Sequence, residues 1–326
     1  MEKPQKEPNP NYLPYPPQSQ GDEIELRELF QALWKGKWII IATTLLFAIG
    51  SVVYALSLPN IYKSDALLAP TESSNGGGLS QMAGQLGGLA ALAGVNIAGA
   101  EASQAELAIQ VIKSRKFIEE FIDSHDLLVP LLATKGWDLA NNELIIDDDI
   151  YSAEKKEWLR KPDGLRGNKP SSQEAYEYFI ENILDVKKDK DSGLYIFSIK
   201  HYSPYISQQW VSWLIEDINK VMRNRTITET SRNLAYLNMQ LKKTAITDMQ
   251  STFFKLIEEQ TKTLMLAEVQ EEFVFKVIDP AVIPEVKSEP KRALICVIGT
   301  AIGGLLGIIF VLFFLISQQK KYVTSS

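Results

Sequence analysis

The chain has 326 residues, a net charge of −6 and a single cysteine, Cys296. The acidic balance argues against a nucleic-acid partner, because proteins that bind nucleic acids present basic surfaces. One cysteine and two histidines, His125 and His201, do not make up the ligand set of a zinc site, and they allow no disulfide within the chain. The sequence therefore predicts no metal and no other cofactor.

Residues 1–21 contain six prolines and almost no aliphatic side chains. Such a segment buries too little apolar surface to offset the entropy cost of ordering, so it is predicted to be a disordered cytoplasmic tail. Residues 22–37 follow with apolar side chains at near-helical spacing. This spacing predicts an amphipathic helix at the inner face of a membrane.

Two uncharged apolar segments, residues 38–58 and 293–317, are each long enough to cross a bilayer core. We predict that both are transmembrane helices. A cleaved signal peptide is the alternative for the first segment, because Ala55, Leu56 and Ser57 resemble a cleavage site. The long leading region and the length of the apolar run disfavour that alternative.

The basic residues near the first apolar segment predict the orientation of the chain. Three of them precede this segment, whereas only Lys63 follows it closely. Positive residues favour the cytoplasmic side and the first helix usually sets the topology, although the residues around the second segment favour the opposite orientation. Both termini, including residues 318–326, are therefore predicted to be cytoplasmic, and residues 59–292 to be exported.

The exported residues mix predicted helices and strands. In chain order they are a strand ending at Pro70, a helix over 101–125, an irregular polar stretch over 126–170, a helix over 171–183, two strands within 184–202 joined by a turn at Asp191-Ser192-Gly193, and a strand over 272–279. This order predicts an α+β domain.

The glycine-rich residues 75–100 do not form a phosphate-binding loop, because no Gly-Lys-Ser/Thr follows the glycines. Their interleaved apolar side chains suit a loop or frayed helix that lies against the membrane, a partner protein or a neighbouring subunit. A disordered linker is the alternative.

A long helical region is predicted over residues 205–271, which contain neither glycine nor proline. A straight helix of this length would run about 100 Å, whereas the segment from residue 272 to the second apolar segment reaches at most about 70 Å. The helix is therefore predicted to fold back, either near residues 242–251, where Thr247 and Asp248 could cap a returning helix, or near residues 223–233. The product is a helical arm, and its apolar stripe includes Leu234, Leu237, Leu241, Ala245, Met249, Phe253 and Ile257.

The sequence offers weak support for catalysis. The acidic run Asp147-Asp148-Asp149 lacks the alternating ligands and turn glycine of a calcium loop, so a solvated loop is favoured. A Ser-His-Asp hydrolase could use His125 or His201, but the chain has no G-x-S-x-G elbow and each histidine suits an ordinary surface position. The chain is therefore predicted not to be an enzyme.

Prolines precede the second apolar segment. Pro280, Pro284 and Pro290 cannot continue a helix or a central strand, so they predict a stiff extended connector. Lys291 and Arg292 are predicted to anchor the following helix in the outer headgroup layer.

Glycines recur within the second apolar segment. Gly299, Gly303 and Gly307 are four residues apart, which places them on one helix face and predicts close approach of a partner helix. That partner is the first apolar helix, a neighbouring subunit or another membrane protein. The alternative is that glycine is simply common in membrane helices.

These features in combination resemble the polysaccharide co-polymerase family, and specifically its Wzz-type chain length determinants. They are "RELFQALWKGKW" before the first apolar segment, "YKSDALLAP" after it, the glycine-rich tract and the proline-rich approach to the second segment. The resemblance covers almost the whole chain from Asp22 onward.

The family motif near the second segment is Pro-x2-Pro-x4-Ser-Pro-Lys-x11-Gly-x3-Gly. The spacings from Pro284 to Pro290 and from Lys291 to the last two glycines agree with it. Two departures occur: Pro280 lies one residue too far from the second proline, and Glu289 separates Ser288 from the third.

The resemblance implies an α+β membrane protein in which two transmembrane helices flank a periplasmic domain with a membrane-proximal mixed base and a long helical arm. It further implies a ring-shaped homo-oligomer in the Gram-negative inner membrane. Such proteins work with the polymerase Wzy, and with the lipid-linked or growing polysaccharide, to set the modal length of lipopolysaccharide O-antigen or a related surface glycan without catalysis. Relatives with a kinase domain carry a P-loop and a tyrosine-rich tail, and the printed sequence has neither.

Two alternatives belong to other classes. A membrane-anchored periplasmic adaptor of a polysaccharide export machine would also carry a helical arm, but such adaptors have one span and more β structure. A glycan hydrolase or transferase would need paired carboxylates about 5–10 Å apart, and the sequence contains no evident pair.

Overall fold

The structure is a computed structural model, and it describes residues 33–34, 36–71, 104–244 and 247–323, without the side chains of residues 248 and 314–323. The predicted tail, the glycine-rich tract and most of the predicted amphipathic helix lie outside these residues. The chain forms two compact units, one comprising Leu58–Pro290 and the other Met1–Ser57 with Lys291–Ser326.

The elements of the described residues follow in chain order. They are α1 (Lys37–Ser57), β1 (Tyr62–Pro70), α2 (Gln104–Ile112), α3 (Arg115–Ser124), α4 (Leu128–Leu132), β2 (Thr134–Asp138), β3 (Glu143–Ile146), β4 (Tyr151–Ser152), β5 (Glu157–Trp158), α5 (Ser172–Tyr178), a π-helical turn (Phe179–Ile183), β6 (Leu184–Lys188), β7 (Tyr195–His201), α6 (Pro204–Lys243), α7 (Thr247–Val269), β8 (Phe275–Asp279) and α8 (Arg292–Val323). This mixed α/β order between two apolar helices confirms the predicted fold class.

A four-stranded antiparallel sheet organises the larger unit, with the order β6-β7-β1-β8. Strand β1 pairs with β7 from Tyr62 opposite His201 to Leu68 opposite Tyr195, and it pairs with β8 on its other edge. Segments more than 200 residues apart in sequence therefore meet in one sheet, and the strands predicted in these places are confirmed.

Aromatic side chains join this sheet to the helices in one hydrophobic core. Phe121 of α3 lies 5.7 Å from Phe179 of the π-helical turn, and Phe179 lies 6.2 Å from Trp210 of α6, measured between ring centroids. Phe197 of β7 and Phe275 of β8 are 5.1 Å apart. All five rings are almost fully buried, so they contribute a large share of the apolar surface that stabilises the unit.

A buried asparagine fastens α6 to β8. The amide nitrogen of Asn219 donates to the Phe275 carbonyl at 3.0 Å, and its side-chain oxygen accepts from the backbone N–H groups of Val274 and Phe275. These bonds satisfy backbone groups that would otherwise be costly to bury.

Two sequence-based expectations about the first half of this unit are wrong. Residues 101–125 do not form one helix, because Ser114 adopts an extended conformation, caps α3 with its hydroxyl and so interrupts the helix. Residues 126–170 are not simply irregular, because they contain α4 and the hairpins β2-β3 and β4-β5. These elements have two to five residues, too few to show a hydrophobic period.

Helices α6 and α7 form an antiparallel helical hairpin. Helix α6 ends at Lys243 and α7 begins at Thr247, and both ends fall inside the segment 242–251 where a turn was predicted. The side chain of Asn233 donates to that of Gln260 across the hairpin at 3.5 Å. The other predicted break, over residues 223–233, is wrong, because α6 is continuous there.

The smaller unit contains α1 and α8, which pack along each other in antiparallel directions. Both are long and apolar enough to cross a membrane, and only 6% and 17% of their most apolar windows are buried within the protein. Helix α8 continues to Val323, beyond the predicted boundary at residue 317.

Candidate functional sites

The three glycines predicted to form a packing face lie against α1. A Cβ atom added at Gly303 would lie 2.5 Å from the Cβ of Phe47, and one added at Gly299 would lie 2.5 Å from the Cβ of Ser51. An added Cβ at Gly307 would collide with the Thr43 side chain and lie 3.1 Å from the Ile40 Cα. Such distances are shorter than real side chains allow, so the close approach of the two helices depends on glycine at these positions.

Hydroxyl groups along this interface are satisfied by their own helices. Thr43 and Thr44 donate to the Ile40 carbonyl at 3.0 and 2.7 Å, Ser51 donates to the Ala48 carbonyl, and Thr300 donates to the Cys296 carbonyl. Polar groups with internal partners are compatible with a hydrocarbon environment, where no water is present to bond them. The helix pair therefore combines an apolar outer surface with an interface in which glycines of α8 lie against α1.

A basic residue at the start of α8 reaches the end of α1. The guanidinium of Arg292 donates to the Ala55 carbonyl at 3.0 Å, which lies in the last turn of α1. Carbonyls in the last turn of a helix lack intrahelical partners and carry partial negative charge, so an arginine there is favourable. Lys291 accepts backbone bonds from Leu294 and Ile295 and so begins α8.

The proline-rich connector, residues 280–290, lies outside the regular helices and strands and bonds to the rest of the larger unit at several positions. Its Ala281 and Val282 carbonyls accept side-chain bonds from Gln208 and Ser64. Further along, the Ser288 N–H donates to the Ile61 carbonyl at 2.8 Å. Pro280 is exposed, whereas Pro284, Ser288 and Pro290 are partly buried. The partners of this segment therefore lie in β1, α6 and the residues just before β1, while its stiff extended character stays a prediction.

The predicted stripe of the helical arm is divided between the two helices of the hairpin. Leu234, Leu241, Phe253 and Ile257 are partly buried, whereas Met249 is 47% exposed. Other apolar side chains of the hairpin face away from it and stay about half exposed or more, namely Tyr236, Met239, Phe254, Met265 and Val269. The hairpin therefore has an inner stripe that packs and an outer surface that retains apolar character.

Neither histidine has the ordinary surface position expected from the sequence. His125 bonds to Asp217 at 2.8 Å and stacks on Trp213 at 4.3 Å between ring centroids. His201 is 97% buried: its Nδ1 accepts from the Ser203 N–H, and its Nε2 donates to the Pro130 carbonyl. Burial lowers the pKa of His201 to about 4, so this ring is neutral at neutral pH.

Sequence reasoning missed a polar cleft of about 210 Å³ beside the π-helical turn. Its lining includes Tyr178, Glu181 and Asn182 from α5 and this turn, Lys200 from β7, and Glu289 from the connector. The one available signal was Glu289 itself, which interrupts the Ser-Pro-Lys spacing of the family motif. The segments that line the cleft are distant in sequence, and the pairing of strands in the sheet brings them together. The local sequence therefore gives no sign of the cleft.

Two family profiles match the chain. The profile described as "Chain length determinant protein" (Wzz) matches residues 22–125, and that described as "G-rich domain on putative tyrosine kinase" (GNVR) matches residues 237–313. Together they take in more than half of the chain. No curated protein sequence matches it.

Two solved structures are similar to the chain. A full-length bacterial polysaccharide co-polymerase shares 13% identity, with 90% of this chain and 99% of that chain covered, at a TM-score of 0.36. A fragment of WzzB, a polysaccharide co-polymerase from Salmonella Typhimurium, shares 11% identity, with 70% and 99% covered, at a TM-score of 0.28.

Proposed function

Residues 22–125 match the model of the Wzz chain length determinants and residues 237–313 match that of the GNVR domain, and from that premise we propose that the chain is a Wzz-type determinant of the polysaccharide co-polymerase family and regulates the modal length of lipopolysaccharide O-antigen or a related surface polysaccharide. The proposal assigns no catalysis to the chain. In this role the chain acts on a polymerisation that a separate enzyme carries out, namely a Wzy-type polymerase in the inner membrane.

One observation carries the proposal. Two apolar helices, α1 and α8, pack together through glycines, and the domain that lies between them in the sequence contains a long helical hairpin. Gly299, Gly303 and Gly307 hold α1 and α8 in close contact. A pair of helices fixed in this way is a rigid membrane element, which suits a scaffold that must keep its position beside a polymerase.

We place the protein in the inner membrane, with both termini in the cytoplasm and residues 59–292 in the periplasm. The large exposed apolar surface of α1 and α8 supports a membrane location, because a soluble protein rarely exposes such a patch. The basic residues before α1 support the orientation.

We propose a ring-shaped homo-oligomer as the working form. The outer surface of the hairpin supports it, because Tyr236, Met239, Phe254 and Met265 are at least half exposed within one chain. Exposed apolar side chains on a projecting element favour contact with another protein surface. The lipid-linked or growing polysaccharide is the further partner.

Deletion of the gene tests the proposed function directly. We expect the glycan ladder on a gel to lose its preferred length while the sugar composition and total polymer stay unchanged, and a plasmid copy to restore the preferred length. Loss of surface polymer with normal polymer inside the cell would instead indicate the alternative, an adaptor of an export machine. An unchanged ladder would contradict both.

A further inference from the structure

The cleft beside the π-helical turn has a mixed lining of polar side chains and of the apolar side chains Ile61, Leu131 and Ile183. It is open to solvent and has a volume of about 210 Å³, which is below the roughly 300–1,000 Å³ of sites for drug-sized molecules. Two tyrosines, Tyr178 and Tyr202, contribute to its lining together with Glu181, Asn182, Lys200 and Glu289. The cleft therefore combines aromatic rings with hydrogen-bonding groups in a space suited to one small ring.

Several of these groups have unused hydrogen-bonding capacity. In the described part of the chain, the hydroxyls of Tyr178 and Tyr202 and the carboxylate of Glu181 form no hydrogen bond. Asn182 donates its amide N–H to the Tyr178 carbonyl at 3.2 Å, which leaves the side-chain oxygen as an acceptor. A ligand that both donates and accepts hydrogen bonds would match this mixture, and each sugar hydroxyl does both.

The charges in the cleft favour a ligand without negative charge. Lys200 and Glu289 form an ion pair at 2.6 Å, so their charges offset each other. Glu181 adds a negative charge. His201, which also lines the cleft, is neutral because burial lowers its pKa. The net charge of these four groups is negative, which disfavours a phosphate, a pyrophosphate or a uronic acid.

The backbone beside the cleft is itself unusual. The chain passes from α5 into the π-helical turn Phe179–Ile183 before entering β6, and this turn supplies Glu181 and Asn182 to the lining. A π-helical turn is rare and occurs frequently at functional sites. Here it has a clear effect: Phe179 and Ile183 stay buried while the two polar residues between them remain exposed.

We propose that this cleft binds a single uncharged sugar ring of the polysaccharide whose length the protein regulates. Glu181, Asn182 and the two tyrosine hydroxyls bond the sugar hydroxyls, and the tyrosine rings supply apolar contact. The Lys200–Glu289 pair fixes the floor of the cleft against the connector. The inference rests on the proposed function, because that function is what brings a growing glycan to the protein.

Saturation-transfer NMR on the full-length protein in detergent tests the binding. The probes are methyl glucoside, methyl galactoside and N-acetylglucosamine, with methyl glucuronide as the charged counterpart that differs from methyl glucoside only at carbon 6. We expect at least one uncharged sugar to bind in the millimolar range and the glucuronide to bind at least fivefold more weakly than methyl glucoside. Absence of binding by every uncharged sugar, or preference for the glucuronide, would overturn the proposal.

Matched substitutions locate the binding. Glu181 and Asn182 are exposed, so Glu181→Gln and Asn182→Ala should fold normally and weaken sugar binding at least fivefold. Tyr202→Phe should weaken it as well. The controls Glu258→Gln and Tyr236→Phe, both on the helical hairpin, should leave binding unchanged. Equal binding by the cleft variants and the controls would place the sugar elsewhere and overturn the proposal.

A cellular measurement separates this inference from the proposed function. The variant Glu181→Gln combined with Asn182→Ala should shift or broaden the length distribution of the glycan, whereas Glu258→Gln should not. A normal ladder in the cleft variant, in cells where gene deletion abolishes the preferred length, would overturn the sugar site and leave the proposed function standing. A deletion without effect would contradict the proposed function, whatever the binding result.

Discussion

Glu289 is the residue at which this chain departs from the Ser-Pro-Lys spacing of the motif that it otherwise resembles, and it has partners on two sides. Its backbone exchanges hydrogen bonds with Ile61, with an N–O distance of 3.0 Å from the Ile61 N–H to the Glu289 carbonyl. Its carboxylate accepts from Lys200 at 2.6 Å. The extra residue is therefore accommodated by bonds that hold the connector against the start of β1 and against β7.

The buried neutral histidine predicts a pH dependence of stability. The pKa of His201 falls from 6.5 to about 4 through burial, so protonation favours the unfolded chain. The free energy of unfolding is unaffected by this group above pH 6.5 and decreases as the pH falls towards 4, where the loss amounts to roughly 3 kcal/mol. In His201→Gln, which can still donate to Pro130 and accept from Ser203, the free energy of unfolding should fall less between pH 7 and pH 4.

Chemical denaturation of the full-length protein at several pH values measures this difference. The carboxylates titrate equally in both proteins, so the difference between the two unfolding free energies isolates the histidine. Parallel pH dependences for the wild type and His201→Gln would contradict the assignment.

At the scale of single elements, the glycine face of α8 predicts a sharp contrast between substitutions. Gly303→Leu with Gly307→Leu should force α1 away, since even a Cβ is too close there, and should cost on the order of 1–2 kcal/mol of helix association. Gly50→Leu is the matched control, because an added Cβ at Gly50 meets no atom within 4 Å. Crosslinking between the two helices in membrane vesicles measures the contact.

The proposed function adds a second readout for the same variants. The double variant should insert into the membrane and retain a folded domain over Leu58–Pro290, yet lose length control, whereas Gly50→Leu should keep length control. An unchanged modal length in a correctly inserted double variant would reduce these glycines to the ordinary composition of a membrane helix.

The helical hairpin allows an equally close comparison between adjacent residues. Phe253 is partly buried, whereas Phe254 is 59% exposed. Phe253→Glu should open the hairpin by placing a charge in its inner stripe, which is unfavourable without a partner. Phe254→Glu should not. Limited proteolysis near residues 244–247 reports the opening, and equal cleavage of both variants would show that the inner stripe does not hold the hairpin.

The sequence predicts these elements to different extents, for physical reasons. Helices α1 and α8 are evident because each is a long uncharged apolar run, and the hairpin is evident because many of its residues repeat one helical pattern. The break after Lys243 follows from chain length and reach. In contrast, α4, the two small hairpins and the π-helical turn contain too few residues to show a periodic spacing of hydrophobic side chains. The residues that contact His201 and Glu289 could not be predicted either, because strand pairing in the sheet brings them together from distant parts of the sequence.

At the scale of the whole molecule, the chain consists of two apolar helices and an α/β domain. The domain lies between these helices in the sequence and includes the helical hairpin. The domain has one extensive core and needs no disulfide, since Cys296 lies in α8. Its described residues contain no cluster of metal-ligating side chains.

Gene replacement tests the central claim most directly. In a cell whose own chain length determinant gene is replaced by the gene for this chain, the number of repeat units in the surface glycan is measured on a gel ladder and by mass spectrometry. If the chain is a length determinant, we expect the surface glycan to take a new preferred length, with unchanged sugar composition and normal polymer yield. An unregulated ladder like that of the deletion strain, despite stable expression and membrane insertion of the chain, would contradict it.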